Sequence, residues 1–177
     1  DGTAKPAVAG HMHGVTWSLA LLPVDVVGPR QISIPVLEFL AIVGNFKTFG
    51  PRIPTGISIH VMSDSITSVD VCASASAHTP QMQLLHRALL DDPHFQRLSS
   101  RALVGHMFGE TNVISDAKSR GYDDVVQSIC VALKVRYADI EPSPDVARLR
   151  AQLRDLGPPP YDHDGVGPVG NGVRIGS

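Results

Sequence analysis

The chain has little of what staples or anchors a protein. It carries two cysteines, Cys72 and Cys130, among 177 residues. They lie far apart, with no Cys-x-x-Cys or Cys/His spacing, which argues against a disulfide framework or a thiolate zinc cage. Both read as reduced, buried thiols. No run approaches the roughly 18 consecutive apolar residues that a membrane span needs, and the first residues lack a basic-then-apolar signal layout. The expectation is a protein with no membrane partner, working inside the cell, in cytoplasm or nucleus. Charge of one sign is also missing: 15 basic and 17 acidic residues leave a net charge of −2. Nucleic-acid binding, if any, would then rest on a local patch or a neighbouring domain.

What is present suits one α/β domain, since domains commonly run to roughly 100 to 150 residues, with the excess as tail. Residues 1 to 14, with Gly2, Pro6, Gly10 and Gly14, read as a turn-rich connection. Val15 to Leu22, around Trp17, reads as a strand, and Gln31 to Ile34, beyond the Gly28-Pro29 turn, as another in a meander. Trp17 is expected in the core. Apolar residues then recur at helical spacing (Val36, Phe39, Leu40, Val43, Phe46), with Pro35 placed to open that helix. Ile57, Ile59 and Val61 alternate with polar residues in a strand ending at Asp64, and a helix runs from Ser65 to about Ala75. Pro80 opens another helix, Ala102 to Met107 is a short strand, and Tyr122 to Leu133 forms a closing helix. Beyond residue 135 the pattern weakens: Asp145 to Arg154 reads as a charged helix, and Gly157 to Ser177 as a Gly/Pro-rich linker. The boundaries are therefore 1–135 for the domain and 136–177 for the tail. The lack of an initiator Met before Asp1 reads as a piece cut from a longer polypeptide.

Four acids stand at the junctions of these elements: Asp1 before the glycine turn, Glu38 within the apolar helix, Asp64 at the strand end, and Asp116 in a loop leading into a helix. Acids brought together from separate elements are a pattern suited to divalent metal ions, which take hard oxygen ligands. Asp64 and Asp116 each have a structural alternative as helix N-caps.

The sequence around these acids resembles a known family. Asp1 with Gly10, His11, Met12, His13, Gly14 and Trp17, the segment Ile34-Pro-Val-Leu-Glu38-Phe-Leu-Ala41, the segment Val61-Met-Ser-Asp64-Ser-Ile-Thr67, and above all His106-Met-Phe-Gly109-Glu-Thr-Asn112-Val-Ile-Ser-Asp116-Ala-Lys-Ser-Arg120 are similar to the ribonuclease H domain of retrotransposon reverse transcriptases. The version found in elements of the DIRS group, which encode a tyrosine recombinase, is the most similar. The likeness runs from Asp1 to about Tyr122. It implies a mixed five-stranded sheet flanked by helices, its first strand truncated at the start of this chain. It also implies a hydrolase that cuts the RNA strand of an RNA/DNA hybrid, with an upstream reverse transcriptase domain and a downstream recombinase as partners.

Two Mg2+ ions, or Mn2+ in their place, would be held by Asp1, Glu38, Asp64 and Asp116, since paired cations can stabilise both the attacking and the leaving oxygen of a phosphodiester. His106 is the candidate for proton transfer or product release. Asn112 would brace the loop delivering Asp116, with Ser119 and Arg120 contacting substrate phosphate. Strand choice would come from 2′-hydroxyl contacts in the minor groove. Two further readings stand beside this one: a catalytically silent domain of the same fold that tethers its neighbours, and a related nuclease acting on DNA.

Overall fold

The computed structural model describes residues 6–74 and 77–157. The chain opens with a hairpin, β1 (Ala7–Met12) antiparallel to β2 (Val15–Ala20), closed by His13 and Gly14, both at positive φ. Two consecutive left-handed residues make a turn whose twist matches the strands. A short helix α1 (Pro23–Val26) follows, then the long α2 (Ile34–Phe49). Next come β3 (Ile59–Ser63), α3 (Ile66–Ser74), α4 (Pro80–Leu90), α5 (Pro93–Leu98), β4 (Ala102–His106), α6 (Val113–Ser119), α7 (Asp123–Ala132), the two-residue β5 (Ala138–Asp139) and α8 (Pro144–Leu156).

This is a mixed α/β architecture with a small mixed sheet. The strands do not join into the single five-stranded sheet expected: β1, β2 and β5 form one sheet, with β5 parallel to β2, while β3 and β4 form a separate parallel pair. Two local expectations also change. The turn-rich opening contains β1, because Val8 fills the core and Gly10 is there for space: a Cβ on Gly10 would land on the Asn45 side chain and the Trp17 indole. The strand expected at Gln31 to Ile34 is absent. Pro23 opens α1 instead, and Ile34 is already the first residue of α2.

The core surrounds α2. Val36, Phe39, Leu40, Val43 and Phe46 are buried as their spacing predicts, and so are Ile42, Gly44 and Phe49 on other faces. A helix apolar on several sides is one that is covered on several sides. Trp17, fully buried, reaches across from β2, donates its indole N–H to Asn45 Oδ1 at 2.9 Å, and lies over Gly44, where a Cβ would come within 2.7 Å of the ring. Leu85 and Leu89 of α4 close the other side.

The charged helix at Asp145 to Arg154, set outside the domain by the sequence reading, packs into this same core. Val146, Leu149 and Leu153 are buried there, and Gln81, itself buried, donates to the Leu153 carbonyl at 3.0 Å. Its polar side is tied down too. Arg150 and Arg154 approach the wholly buried Asp25 carboxylate at 3.6 and 3.7 Å, while Asp25 Oδ2 accepts from the Leu22 backbone N–H at 2.8 Å. A charge taken out of water is tolerable only with such partners. Among the described residues no helix is long and apolar enough to cross a membrane. Leu153→Ala should cost about 2–5 kcal/mol in urea unfolding, whereas a tail outside the core would leave the midpoint unchanged.

Candidate active site

Three of the four acids line one cavity. Glu38 from α2, Asp64 just past β3 and Asp116 from α6 all border a cleft of about 260 Å³, together with Asn45, Ser63, Asn112, Ser115 and Ser119. Asp1 lies outside the described residues.

Each acid is placed by its own element. α2 is buried along most of its length, and the half-buried Glu38 is where one of its faces meets the cavity. Among the described residues its carboxylate has no hydrogen-bond or ion-pair partner. Asp64 follows the last residue of β3, and the capping role open to it belongs to Ser65, whose hydroxyl accepts from the Ser68 N–H at 3.2 Å. Ser63 in turn accepts from the Ser65 N–H at 3.2 Å. Asp64 is thereby left exposed and uncommitted. The closing motif comes up beside it: a Cβ on Gly109 would stand 3.7 Å from Asp64 Oδ2.

Asp116 is inside a helix rather than in the loop before one, in the first turn of α6. There it forms an ion pair with Arg120, Nε to Oδ1 at 2.9 Å, on an exposed surface. Such a pair contributes little to stability, roughly 0.3–0.5 kcal/mol for this spacing, and yields readily to a stronger partner. Arg120 is therefore turned to Asp116 and does not line the cavity, while Ser119 lines it but gives its hydroxyl to the Asp116 carbonyl at 2.8 Å. Asn112 stands at the N-cap of α6, yet its side chain makes no capping hydrogen bond. It borders the acid cavity and a second one of about 230 Å³. His106 lies outside both cavities, at the end of β4, with its ring edge-on to Phe108 at 5.9 Å between centroids.

What holds α6 in place is Lys118. Its ammonium group is buried and meets Asp123 at 2.7 Å and Asp139 at 2.8 Å. Burial alone would pull its pKa down, but the hydrogen bonds to the two carboxylates outweigh that and raise it, so the group stays charged. This fixes α6 against α7 and β5, and Asp116 with it.

Sequence reasoning missed His11, read as an ordinary surface or partly buried side chain. Its Nδ1 is 2.9 Å from Ser115 Oγ, in a pair that joins β1 to α6 across 104 positions. No spacing signal could have disclosed it. Both residues border the second cavity, and burial, with a smaller contribution from His13, holds the His11 pKa below the ordinary value.

The donor chemistry of the acid cavity fits a hard cation: carboxylates, side-chain amides and hydroxyls, with neither thiolate nor imidazole. Among the described residues no three acids, histidines or cysteines are gathered closely enough to hold one ion, so the carboxylates border the cavity without forming a closed cage. Comparison of the chain with protein-family models, with curated proteins and with solved structures finds no match.

The His11 shift has a testable consequence. With its folded pKa below 6.5, the unfolded chain takes up the proton first as pH falls through that value, so stability is full above it and declines below. His11→Gln should flatten the loss of urea stability between pH 7 and 5, by at most about 1.4 kcal/mol per pH unit.

Proposed function

We propose that this chain carries a metal-dependent nuclease domain of the ribonuclease H type, cutting the RNA strand of RNA/DNA hybrids within a retroelement polyprotein. The observation that carries the reading is the convergence of Glu38, Asp64 and Asp116, from three separate elements, on one cavity. The motifs that named those acids are far apart in sequence, and unrelated surface acids have no reason to share a cleft. The finer fold assignment, a ribonuclease H-like five-stranded sheet, belongs to the same proposal. It is supported by the order of an antiparallel pair, a long helix, a parallel pair and a closing helix.

Glu38, Asp64 and Asp116, with Asp1, would hold two Mg2+ ions, or Mn2+. Bound there, such ions supply Lewis-acid stabilisation of a phosphoryl group and a more acidic water. The chain's own residues supply the rest. Glu38 and Asp64 present free carboxylates, so they can take a cation without first breaking an ion pair. Asp116 gives one oxygen to Arg120 and would offer the other to the ion, and Arg120 beside it carries a guanidinium suited to contact with a phosphate. Ser115, Ser119 and Asn112 offer neutral hydrogen bonds to a sugar–phosphate backbone, which suits recognition by shape and 2′-hydroxyls rather than by base. An upstream reverse transcriptase domain would supply the hybrid, and a recombinase would follow in the same polyprotein.

One observation favours the silent-scaffold reading instead: Asp116 already uses an oxygen on Arg120. Cleavage separates the two. With Mg2+, the protein should cut the RNA strand of a labelled hybrid, and Asp64→Asn, Glu38→Gln and Asp116→Asn should each lose at least about 100-fold while folding normally, since even groups one step removed from a metal cost 10–100-fold. Activity retained in all three variants would overturn the site, cleavage of DNA alone would transfer the domain to the DNA-acting class, and no cleavage of any substrate would leave the scaffold.

A further inference from the structure

Phe108 is the most exposed large apolar side chain among the described residues, at 77%. Phe39, Phe46 and Phe49 are buried in the core, and Phe95 packs half-buried against it. A single exposed apolar side chain is ordinary in itself. Phe108 differs in how firmly it is held and in where it stands.

The backbone around it is tied on both sides. Met107 N–H extends the ladder of the parallel pair to the Ser63 carbonyl at 2.9 Å, and the Phe108 carbonyl accepts from both the N–H and the hydroxyl of Thr111, at 2.8 and 2.7 Å. The Gly109 carbonyl in turn accepts from Asn112 N–H at 3.0 Å. The His106 ring meets the phenyl ring at 78°, with 5.9 Å between centroids. A contact so close to perpendicular takes up one face of the phenyl ring at most. An ordered ring is therefore presented to solvent with a face open, and little ordering cost remains for whatever covers it.

Its position relates it to the acids. β3 and β4 run parallel, and Asp64 and Phe108 lie just beyond their carboxyl ends, the end at which parallel sheets take their ligands. Phe108 adjoins Gly109, the residue whose added Cβ would stand 3.7 Å from Asp64 Oδ2. The electrostatics there favour an uncharged contact. Among the described residues no lysine or arginine lines the acid cavity, whose charged residues are Glu38, Asp64 and Asp116, and Arg120 is paired with Asp116. Phosphates approaching three carboxylates gain little from charge, whereas stacking on an aromatic face is open to every base. Inside a duplex both faces of a base are already covered by its neighbours. The open ring can stack only on a base outside the helix.

We propose that Phe108 is a stacking platform for an unpaired base of the strand entering the acid cavity, so that the domain engages hybrids where the RNA leaves the duplex in preference to uninterrupted duplex. The platform rests on the acid cavity being a nucleic-acid site, and binding measured in EDTA reads it without any cleavage. The probes are an RNA/DNA hybrid with a short single-stranded RNA overhang carrying 2-aminopurine, and the same hybrid with flush ends. The protein should bind the overhang probe about tenfold or more tighter than the flush one, with a change in 2-aminopurine fluorescence, and Phe108→Ala should remove both the preference and the signal. Phe108→Trp should keep them. Phe108→Leu, which retains apolar bulk without a stacking face, should lose them, and both losses should be the same at low and high salt, because stacking releases no counterions. Urea unfolding of each variant should match the parent protein, since Phe108 covers nothing in the core. Equal weakening of both probes by Phe108→Ala, full binding by Phe108→Leu, or a parent protein that binds neither probe or shows no preference would overturn the platform. Absence of hybrid cleavage in Mg2+ alongside Phe108-dependent binding would leave the platform standing and remove the nuclease reading alone.

Discussion

The packing of Trp17 against α2 is the constraint on which the rest of the molecule hangs. A fully buried indole needs a partner for its N–H, and Asn45 supplies it from the helix. The ring can approach that closely because Gly44 has no side chain and because Gly10, on the neighbouring strand, leaves room for the Asn45 amide. Two glycines, one asparagine and one tryptophan thus set the distance and rotation of α2 relative to the first hairpin. Glu38 lies two turns back along the same helix, so its position at the cavity follows from that lock.

The other two acids are held by different means. Asp64 is delivered by a parallel strand pair and kept free because neighbouring serines take over the capping. Asp116 rides on a helix fixed by a buried ammonium group and two carboxylates. Interactions of three kinds, aromatic packing, local capping and a buried ion cluster, bring three carboxylates to one cleft, and Glu38 and Asp64 are spared the structural work that their neighbours do. Mutual repulsion among such acids would be costly in a dry interior. Here Asp64 and Asp116 remain in contact with solvent, and only Glu38 is half-buried.

Much of this was legible in the sequence, and the misses have physical reasons. The periodicity of α2 was plain, because Val36 through Phe46 repeat at helical spacing, and the β-branched run ending at Asp64 declared its strand. The opening strand was hidden because glycine signals turns far more often than close packing, and Gly10 is there for the second reason. The last helix read as tail because Arg148, Arg150 and Arg154 dominate its composition, while the stripe of Val146, Leu149 and Leu153 that seats it in the core is narrow. The division into two half-sheets depends on hydrogen bonds between distant segments, which no local pattern encodes. The same holds for His11 with Ser115. Of the residues carried over by resemblance, Glu38, Asp64 and Asp116 border one cavity and Asp1 lies outside the described residues, whereas His106 and Arg120 stand away from the cavity.

The buried ion pairs of this molecule join segments that are distant in sequence. Asp25 finds its guanidinium partners 125 and 129 positions later, in Arg150 and Arg154, and Lys118 has one of its two carboxylates at Asp139. Asp25 therefore has no guanidinium partner until α8 docks on the core. Contacts of such long sequence separation slow folding and prolong the exposure of apolar surface. Docking of α8 thus decides both the closure of the core and the neutralisation of the buried Asp25.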